Sequence, residues 1–513
     1  MEHFGILSIV PPALSICLAI YTRNVVFSLA LGAFSGALIL VGFNPFFAII
    51  NLVEQQVFAQ LSNGANAQVL IVSLVIGGFI ALLEKSGGAT AFSSVVVKFV
   101  SNPVRGQMAA WFAGISIFFT DSGNALIVGP LFRPIFEKLQ ICKEKLAFII
   151  DTTAAPVSIL VPFIGWGVYI MSLIENSFED IGLSDDPFGV LLQVWPYQFY
   201  AILALLSIPM ILSTGKDLGP MAKAQQKYNQ SRKSLPCEPE NKKIRTDAIT
   251  TANVLNTIDN RAKSVPGVKF STFLFPISVL MLSIAGFLGY FAYTEGVGGV
   301  HVRSGIFISY LFASLACAYL MKRNQKISFN DSLKHFYSGM EKLVYICSIL
   351  VLAWSLSSIC KELHTGDYLA SLVAGSLPPA LLPAIVFILG ALMSFATGSS
   401  YGTFAILMMI VVPVAHNLGA PMVITIAAVL SGGLFGDHTS PISDTTALAS
   451  MGSDCQHIDH VSTQLAYALI SGSMALIGFI LAGVYQTPVI VVFMLFIQLL
   501  FIKLLMKFFG EKW

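Results

Sequence analysis

The chain has 513 residues, of which 56% are hydrophobic and only 11% carry a charged side chain. Its mean hydropathy is +0.78, and a soluble domain of this length would need much more charged surface. The formal net charge of +2 gives no indication of a nucleic-acid partner. Because the apolar runs are continuous rather than alternating, a membrane β-barrel is excluded as well. The composition therefore predicts an all-α polytopic membrane protein.

Apolar runs recur along the whole chain, at lengths suited to helices of about 20 residues that cross a bilayer. They lie near residues 4–21, 25–43, 68–83, 145–175, 189–213, 270–292, 303–321, 338–359, 462–484 and 486–502. The first run lacks the basic flank of a secretory signal, so we expect it to remain as a span. The sequence contains no Cys-x-x-Cys pair and no Walker-type phosphate loop. Consequently it predicts no disulfide framework, no zinc site, no ATP binding and no cofactor.

Residues 215–269 interrupt this pattern because they are polar and basic, with eleven Lys or Arg against five Asp or Glu. Such a composition predicts a flexible loop, and the positive-inside rule places it in the cytoplasm. Residues 176–188, one span earlier, carry four acidic side chains and no basic one, which places them outside. The loop therefore divides the chain into a first transmembrane half, 1–214, and a second, 270–513.

The two halves contain similar polar elements in the same order. The first half has Asp121-Ser-Gly-Asn, Pro130 and Asp151-Thr-Thr-Ala-Ala-Pro-Val-Ser; the second has Thr397-Gly-Ser-Ser-Tyr-Gly-Thr, Pro413 and Gly436-Asp-His-Thr-Ser-Pro-Ile-Ser. The two Pro-x-Ser elements lie 285 residues apart. This shared order favours a duplicated fold of two inverted repeats, an arrangement common in secondary transporters.

Segment lengths predict what each repeat contains. The run 107–120 is shorter than a span, and the run after Asp121 soon reaches Arg133. We therefore expect a re-entrant hairpin whose polar tip is surrounded by protein or water. The second half offers similar arms near 381–396 and 403–415. The run 145–175 is too long for one straight span, so we expect an interruption at Thr152–Pro156, matched by another at 436–443. Each repeat is thus expected to hold one re-entrant hairpin and one interrupted transmembrane helix.

Residues 431–447 concentrate the polar chemistry of the second half between long apolar runs. Asp437, His438 and Asp444 lie there among several hydroxyls, although an isolated charge at bilayer depth costs roughly 2.5–3.5 kcal/mol on insertion scales. A broken helix adds bare backbone carbonyls and amides, and hard cations prefer oxygen ligands. One buried carboxylate can then hold either a proton or a sodium ion, which is the minimum needed for exchange.

The candidate ion- or proton-binding groups belong to the four polar clusters of the two halves. They are Asp121, Ser122, Asn124, Asp151, Thr152, Ser399, Ser400, Thr403, Asp437, His438, Thr439, Ser440, Ser443 and Asp444. Asp121 and Asp437 are the candidate sodium ligands. Helix N-capping is the alternative role for Asp437, Asp444 and Asp151, and simple hydrogen bonding is the alternative for His438. Glu84 and Lys85 are interpreted as a pair at the membrane boundary.

At these residues the chain resembles the NhaC family of sodium/proton antiporters. The segment Gly436-Asp-His-Thr-Ser-Pro-Ile-Ser-Asp-Thr-Thr is similar to that family's most recognisable motif; the other similar stretches are Phe118-Phe-Thr-Asp-Ser-Gly-Asn-Ala, Asp151-Thr-Thr-Ala-Ala-Pro-Val-Ser and Ala396-Thr-Gly-Ser-Ser-Tyr-Gly-Thr. The resemblance covers roughly residues 5–505, apart from the 215–269 insert. It implies exchange of intracellular sodium for external protons by an elevator-like alternating-access motion. It also implies a homodimer in the bacterial inner membrane.

The resemblance leaves a second substrate class open, since it extends to exchangers of small organic anions of the malate–lactate type. No arginine lies within the polar clusters, Arg133 being the nearest, and this favours cation exchange. An intramembrane enzyme is a poorer match, because His-Glu-x-x-His is absent and 434–437 reads Leu-Phe-Gly-Asp. A channel would dissipate sodium without returning protons. The expected partners are therefore sodium ions, protons and the lipid bilayer, with a small organic anion as the alternative.

Overall fold

The computed structural model describes residues 4–88, 91–92, 100–233, 270–294, 299–373 and 378–512. Within these ranges ten helices are long and apolar enough to cross a membrane, or eleven if a bent pair at 187–212 is counted as one span. This confirms the prediction of an all-α polytopic membrane protein. In the same ranges, β-structure is limited to two strands of two residues each, β1 Lys216–Asp217 and β2 Glu511–Lys512, which pair antiparallel.

Twelve α-helices are described before residue 234. They are α1 Val10–Thr22, α2 Val25–Leu40, α3 Pro45–Ile50, α4 Phe58–Ser62, α5 Gly64–Lys85, α6 Pro103–Ser116, α7 Asp121–Lys138, α8 Lys143–Ser158, α9 Gly165–Asp180, α10 Pro187–Val194, α11 Phe199–Leu212 and α12 Gly219–Lys233. The short 3₁₀ segments Gly5–Ile9 and Trp195–Tyr197 and the π-helical turn Asn51–Val57 connect some of them. Helices α10 and α11 meet at an angle of 46°.

Ten more α-helices are described from residue 270 onward. They are α13 Phe270–Thr294, α14 Gly299–Gln325, α15 Phe329–Glu362, α16 Thr365–Val373, α17 Leu382–Thr397, α18 Ser400–Leu418, α19 Met422–Thr439, α20 Asp444–Ser453, α21 His457–Tyr485 and α22 Ile490–Phe509. A 3₁₀ segment, Pro379–Leu381, precedes α17.

The basic loop predicted at 215–269 begins with ordered structure rather than with a flexible segment. Strand β1 pairs with the C-terminal strand β2, and α12 packs against α8 and α21. The prediction of a largely flexible loop is therefore wrong for 216–233, because these contacts anchor the chain. Residues 234–269 lie outside the described residues, so their predicted flexibility stays a prediction.

The interruption expected at Thr152–Pro156 lies further along the chain. Helix α8 continues through both residues, and the break falls at 159–164, before α9. Pro156 removes one backbone hydrogen bond of α8, but this loss falls in the last turn, because the helix ends two residues later. The break contains Pro162, which disfavours helical backbone at the residue before it. In the second half the break lies at 440–443, within the expected range.

The polar tips predicted for the two hairpins do separate pairs of helices. Helix α6 ends at Ser116 and α7 begins at Asp121, while α17 ends at Thr397 and α18 begins at Ser400. The start of α6 lies against the end of α7, where Gly106 faces the side chain of Leu139. In the second half the helices on either side of the polar tip are not too short to cross a membrane. Residues 379–397 and 400–418 are each 19 residues and long enough to span. Re-entrant placement and inverted repeats stay predictions.

Helices of the second half pack directly on helices of the first. Helix α20 packs against α7 and α8, and α19 packs against α8 and α11. At the α7–α20 contact the backbones of Gly129 and Gly452 approach so closely that a Cβ atom on Gly129 would lie 2.3 Å from the Gly452 carbonyl oxygen. The chain breaks of both halves are thereby brought to the interior.

Candidate ion-binding cavity

A cavity of about 480 Å³ lies where the helix breaks of the two halves meet. Its wall includes both polar tips and the break after α19, so residues far apart in sequence share one space. Six of the predicted site residues line it: Asp121, Ser122, Ser399, Ser400, Asp437 and Asp444. The structure therefore brings together carboxyl and hydroxyl groups of both halves, as the matching motifs predict.

Asp437 lies in the last turn of α19 and is only 4% exposed. Ser400, at the start of α18, donates its hydroxyl to the Asp437 Oδ2 at 2.8 Å, while Oδ1 has no hydrogen-bond partner in the parts of the chain that the structure describes. The neighbouring Gly436 is required by packing, because a Cβ there would lie 2.2 Å from the Ala391 carbonyl oxygen. Asp437 sits at a helix C-terminus, so the N-capping alternative does not apply to it.

Asp121 and Asp444 are the first residues of α7 and α20. The Asp121 Oδ1 accepts from the backbone N–H of Ser122 at 2.6 Å, and its Oδ2 accepts from the indole N–H of Trp166 at 3.2 Å. The Asp444 Oδ1 accepts from the backbone N–H of Thr445 at 2.9 Å. Both carboxylates thus face helix N-termini, where backbone amides favour negative charge. The N-capping alternative for Asp444 differs from this geometry, because Ser443 holds the N-cap position and Asp444 is the first helical residue, accepting from the N–H of the next one.

Three charged residues of the cavity wall were missed by the sequence interpretation. Arg23, Glu84 and Lys342 all line the cavity, and the Lys342 Nζ lies 3.8 Å from a Glu84 carboxylate oxygen. Arg23 follows α1 in the left-handed backbone region, with φ of 55°. The interpretation of Glu84 as a boundary residue is therefore incomplete. The lack of arginine in the polar clusters therefore does not weigh against an anion partner, since the cationic side chains of Arg23 and Lys342 reach the cavity from outside those clusters.

Asp151, Thr152 and His438 belong to a second polar cluster, which does not line the cavity. Asp151 lies in the middle of α8 and is fully buried, so helix capping does not explain it. The hydroxyl of Thr152 lies 3.3 Å from His438 Nε2, and that of Tyr200 lies 2.6 Å from His438 Nδ1. His438 thus makes simple hydrogen bonds, which is the alternative role that the sequence predicts for it.

The remaining candidates make local contacts away from the cavity wall. Asn124 donates to the carbonyl oxygens of Gly114 and Thr153, which ties α7 to α6 and α8. The hydroxyls of Thr403, Thr439 and Ser440 donate to backbone carbonyl oxygens, and Ser443 lies beside both Thr445 and Asp437. These contacts stabilise the chain breaks, and any direct role of these side chains in ion binding stays a prediction.

The carboxylates and hydroxyls that line the cavity are oxygen donors, which hard cations prefer as ligands. Across the described ranges, no three His, Cys, Asp or Glu side chains come close enough to hold one metal ion. An ion bound at Asp437 would therefore use its carboxylate with hydroxyl and backbone oxygens rather than several acidic side chains at once.

Comparison with known proteins agrees with this chemistry. A sequence model described as the Na+/H+ antiporter family matches residues 159–484. The chain is 31% identical to an uncharacterized protein of Haemophilus influenzae, over 93% of this chain and 90% of that one. It is 29% identical to the malate-2H(+)/Na(+)-lactate antiporter of Bacillus subtilis, over 34% of this chain and 38% of the relative.

The fold is also shared with a solved structure. The crystal structure of the YdaH transporter of Alcanivorax borkumensis matches with a TM-score of 0.56 at 15% identity, over 86% of this chain and 90% of that one. This likeness concerns the fold alone. The family match, in contrast, covers more than half of the 513 residues and includes the break at 440–443 and the Asp437 segment. The chain therefore belongs to the Na+/H+ antiporter family, as its resemblance to NhaC predicts, and is a multi-pass membrane transporter.

Proposed function

We propose that the protein exchanges intracellular sodium for external protons by alternating access. The observation that carries this proposal is the Asp437 carboxylate, which faces the cavity, is almost fully buried and has one oxygen without a hydrogen-bond partner among the described residues. No described Lys or Arg forms an ion pair with it. A buried carboxylate without a fixed counter-charge is costly unless an exchangeable cation neutralises it, and sodium and protons both meet this need.

Sodium binding at Asp437 would use groups from two chain breaks. The Ser400 hydroxyl already contacts the Asp437 carboxylate, and the end of α17 brings Gly398 and Ser399 to the same cavity. Since these groups lie on helices from different breaks, an inward or outward shift of one helix relative to another would expose the ion to opposite sides. An elevator-like motion is the form of alternating access that we propose, in a homodimer of the bacterial inner membrane.

The direct test is replacement of Asp437 by Asn in purified protein reconstituted into liposomes with an internal pH dye. Asn keeps the size of the side chain but carries no negative charge for sodium to neutralise. We therefore expect loss of sodium-dependent proton movement. The exposed Asp454→Asn variant is the matched control, because Asp454 pairs with Lys143 at the surface. Unimpaired exchange in Asp437→Asn would refute the role of Asp437, and absence of exchange in the unmodified protein would refute the proposed function.

A small organic anion is the second candidate substrate, because the cavity is larger than sodium needs and contains basic groups. Its volume of about 480 Å³ falls within the range of roughly 300–1,000 Å³ typical of small-molecule sites. Arg23 makes no ion pair with a described carboxylate, and Lys342 is only 3.8 Å from one. The malate and lactate exchange named for the Bacillus subtilis relative would need such groups to bind a carboxylate.

This second candidate is tested with Arg23→Gln and Lys342→Gln in the same liposomes, loaded with malate or lactate. If an organic anion is bound there, each variant should lower anion-driven proton movement about tenfold, the effect of losing one charge-assisted hydrogen bond. The exposed Arg105→Gln variant, whose side chain contacts Ser101 outside the cavity, is the control. No response of the unmodified protein to either anion would leave sodium/proton exchange as the function.

A further inference from the structure

The second polar cluster lies behind the cavity and joins four helices. Asp151 of α8 is its centre, with His460 and Gln464 on one face of α21, His438 at the end of α19 and Tyr200 on α11. Asp151 and His460 are both 0% exposed, and none of the five side chains lines the cavity. His460, Gln464 and Tyr200 were not among the residues singled out from the sequence.

The contacts of Asp151 are unevenly distributed over its two oxygens. Oδ2 lies 3.3 Å from His460 Nε2 and accepts from the Gln464 amide at 2.8 Å. Among the residues that the structure describes, neither Asp151 Oδ1 nor His460 Nδ1, on the far side of the imidazole, has a hydrogen-bond partner. A buried polar atom without a partner is rare in a folded protein. The pair therefore has a free acceptor position on each residue, and an added proton can be held on either.

Three other carboxylates, one buried and two partly buried, have fixed cations beside them. Asp217 pairs with Lys145, Glu175 pairs with Arg303 at 2.6 Å, and Asp180 pairs with Lys361 at 3.7 Å. Within the described part of the chain, Asp151 pairs only with the imidazole of His460, which carries charge only when protonated. A fully buried carboxylate needs a counter-charge. At Asp151 that counter-charge is exchangeable, whereas at the other three it is permanent.

We propose that Asp151 and His460 together bind one exchangeable proton, at a site separate from the sodium cavity. The proton resides between the Asp151 carboxylate and the His460 imidazole, so that the pair is neutral when loaded and carries one negative charge when empty. A sodium ion fits this position poorly, because the carboxylate oxygen is faced by nitrogen atoms of His460 and Gln464 rather than by oxygens, and sodium prefers oxygen ligands.

The titratable groups around the Asp151–His460 pair favour His460 over the other bases as the holder of the proton. The titratable side chains that interact with Asp151 come from four neighbouring helices: His460 on α21, His438 and Asp437 on α19, Tyr200 on α11 and Asp444 on α20. None is a lysine or arginine. His438 has a hydroxyl at each ring nitrogen, from Tyr200 and Thr152, and is satisfied in its neutral form. His460 has no such second partner among the described residues.

A short path links the two sites. Gln464 Nε2 donates to the Asp151 carboxylate and also to the backbone carbonyl oxygen of His438 at 2.5 Å. His438 directly follows Asp437. A shift of the last turn of α19 on sodium binding would therefore change the hydrogen bond from Gln464 to Asp151. This inference rests on the proposed sodium/proton exchange and assigns the coupled proton to the Asp151–His460 pair rather than to Asp437 itself.

The test compares His460→Gln with the exposed His416→Gln control in liposomes. Sodium self-exchange is followed with labelled sodium, and proton movement is followed with a pH dye. We expect His460→Gln to keep self-exchange within about twofold of the unmodified protein and to lower protons moved per sodium at least about tenfold. His416→Gln should change neither. Asp151→Asn provides a second variant that removes the same proton position, with the same expected separation of the two activities.

Unchanged proton coupling in His460→Gln and Asp151→Asn would overturn the proposal. Loss of self-exchange in both variants, with the control intact, would overturn it as well, since a separate proton site leaves sodium binding in place. A failure of the proposed function is distinguished by the unmodified protein, which would then move no protons when sodium is added.

Discussion

Buried charged residues of this protein fall into two groups that differ in their counter-charge. Lys145 and Asp217 are 3% and 1% exposed and form a direct ion pair near the start of α8. Tyr467 also donates to Asp217, at 3.2 Å. Asp437 and Asp151, in contrast, have no lysine or arginine partner within the described ranges. A fixed pair leaves neither of its charges uncompensated, and we propose that the carboxylates without a fixed partner bind the carried ions.

The Lys145–Asp217 pair gives the first prediction at this scale. Replacing Lys145 by Met leaves an uncompensated buried carboxylate, so we expect a loss of about 3–5 kcal/mol in stability. Replacing Asp217 by Leu should have a similar cost, while the double variant should recover most of it because no charge is left unpaired. Thermal unfolding midpoints in detergent would measure this. A double variant as unstable as the sum of the single ones would show that the residues stabilise the protein independently.

Single residues also show where sequence reasoning reaches its limit. The four polar clusters could be identified because a carboxylate between apolar runs is costly, and six of their residues do line the cavity. Arg23, Glu84 and Lys342 could not be assigned to it, since each lies near a helix end or in a long apolar helix where a boundary position is the simpler interpretation. His460 lies at the start of α21, and only tertiary packing brings it to Asp151.

At the scale of elements, helix ends depend on proline and on close packing that local sequence shows only in part. Pro162 accounts for the break between α8 and α9, whereas the sequence pattern favours a break at Pro156, because that proline follows Asp151-Thr-Thr. Gly436 and Gly129 are needed where backbones nearly touch, and the sequence gives no sign of which helix approaches them. The order of the helices and breaks was therefore predictable, whereas the exact break positions required the packing partners.

The close contact of α7 with α20 gives a second prediction. Gly129→Leu would force the two helices apart, because even a Cβ would lie 2.3 Å from the Gly452 carbonyl oxygen. We expect a loss of about 1–3 kcal/mol, the usual cost of overpacking, together with weaker sodium/proton exchange as α20 carries Asp444 to the cavity. Gly286→Leu is the matched control, since no atom lies within 4 Å of a Cβ at that glycine. Equal stability of both variants would contradict this account.

At the scale of the whole molecule, orientation in the membrane decides which side the cavity faces. Arg23, Glu84 and Lys342 line one part of its wall. Acidic residues at 176–188 and basic residues at 215–269 lie on either side of the bent pair at 187–212. If this pair crosses the membrane once, the acidic segment and the basic loop face opposite sides. The positive-inside rule then assigns the loop to the cytoplasm.

This orientation is tested with cysteine labelling in membrane vesicles. Cys237 is a native residue of the basic loop, and a variant in which the other six cysteines are replaced by serine would retain it alone. We expect an impermeant maleimide to label Cys237 in inside-out vesicles and not in right-side-out ones. In a cysteine-free background, Ser184→Cys should behave in the opposite way, because Ser184 is exposed in the acidic segment. Labelling of both positions from the same side would show that 187–212 does not cross the membrane. Reversal of both would place the loop outside and require sodium to move in the opposite direction through the same cavity.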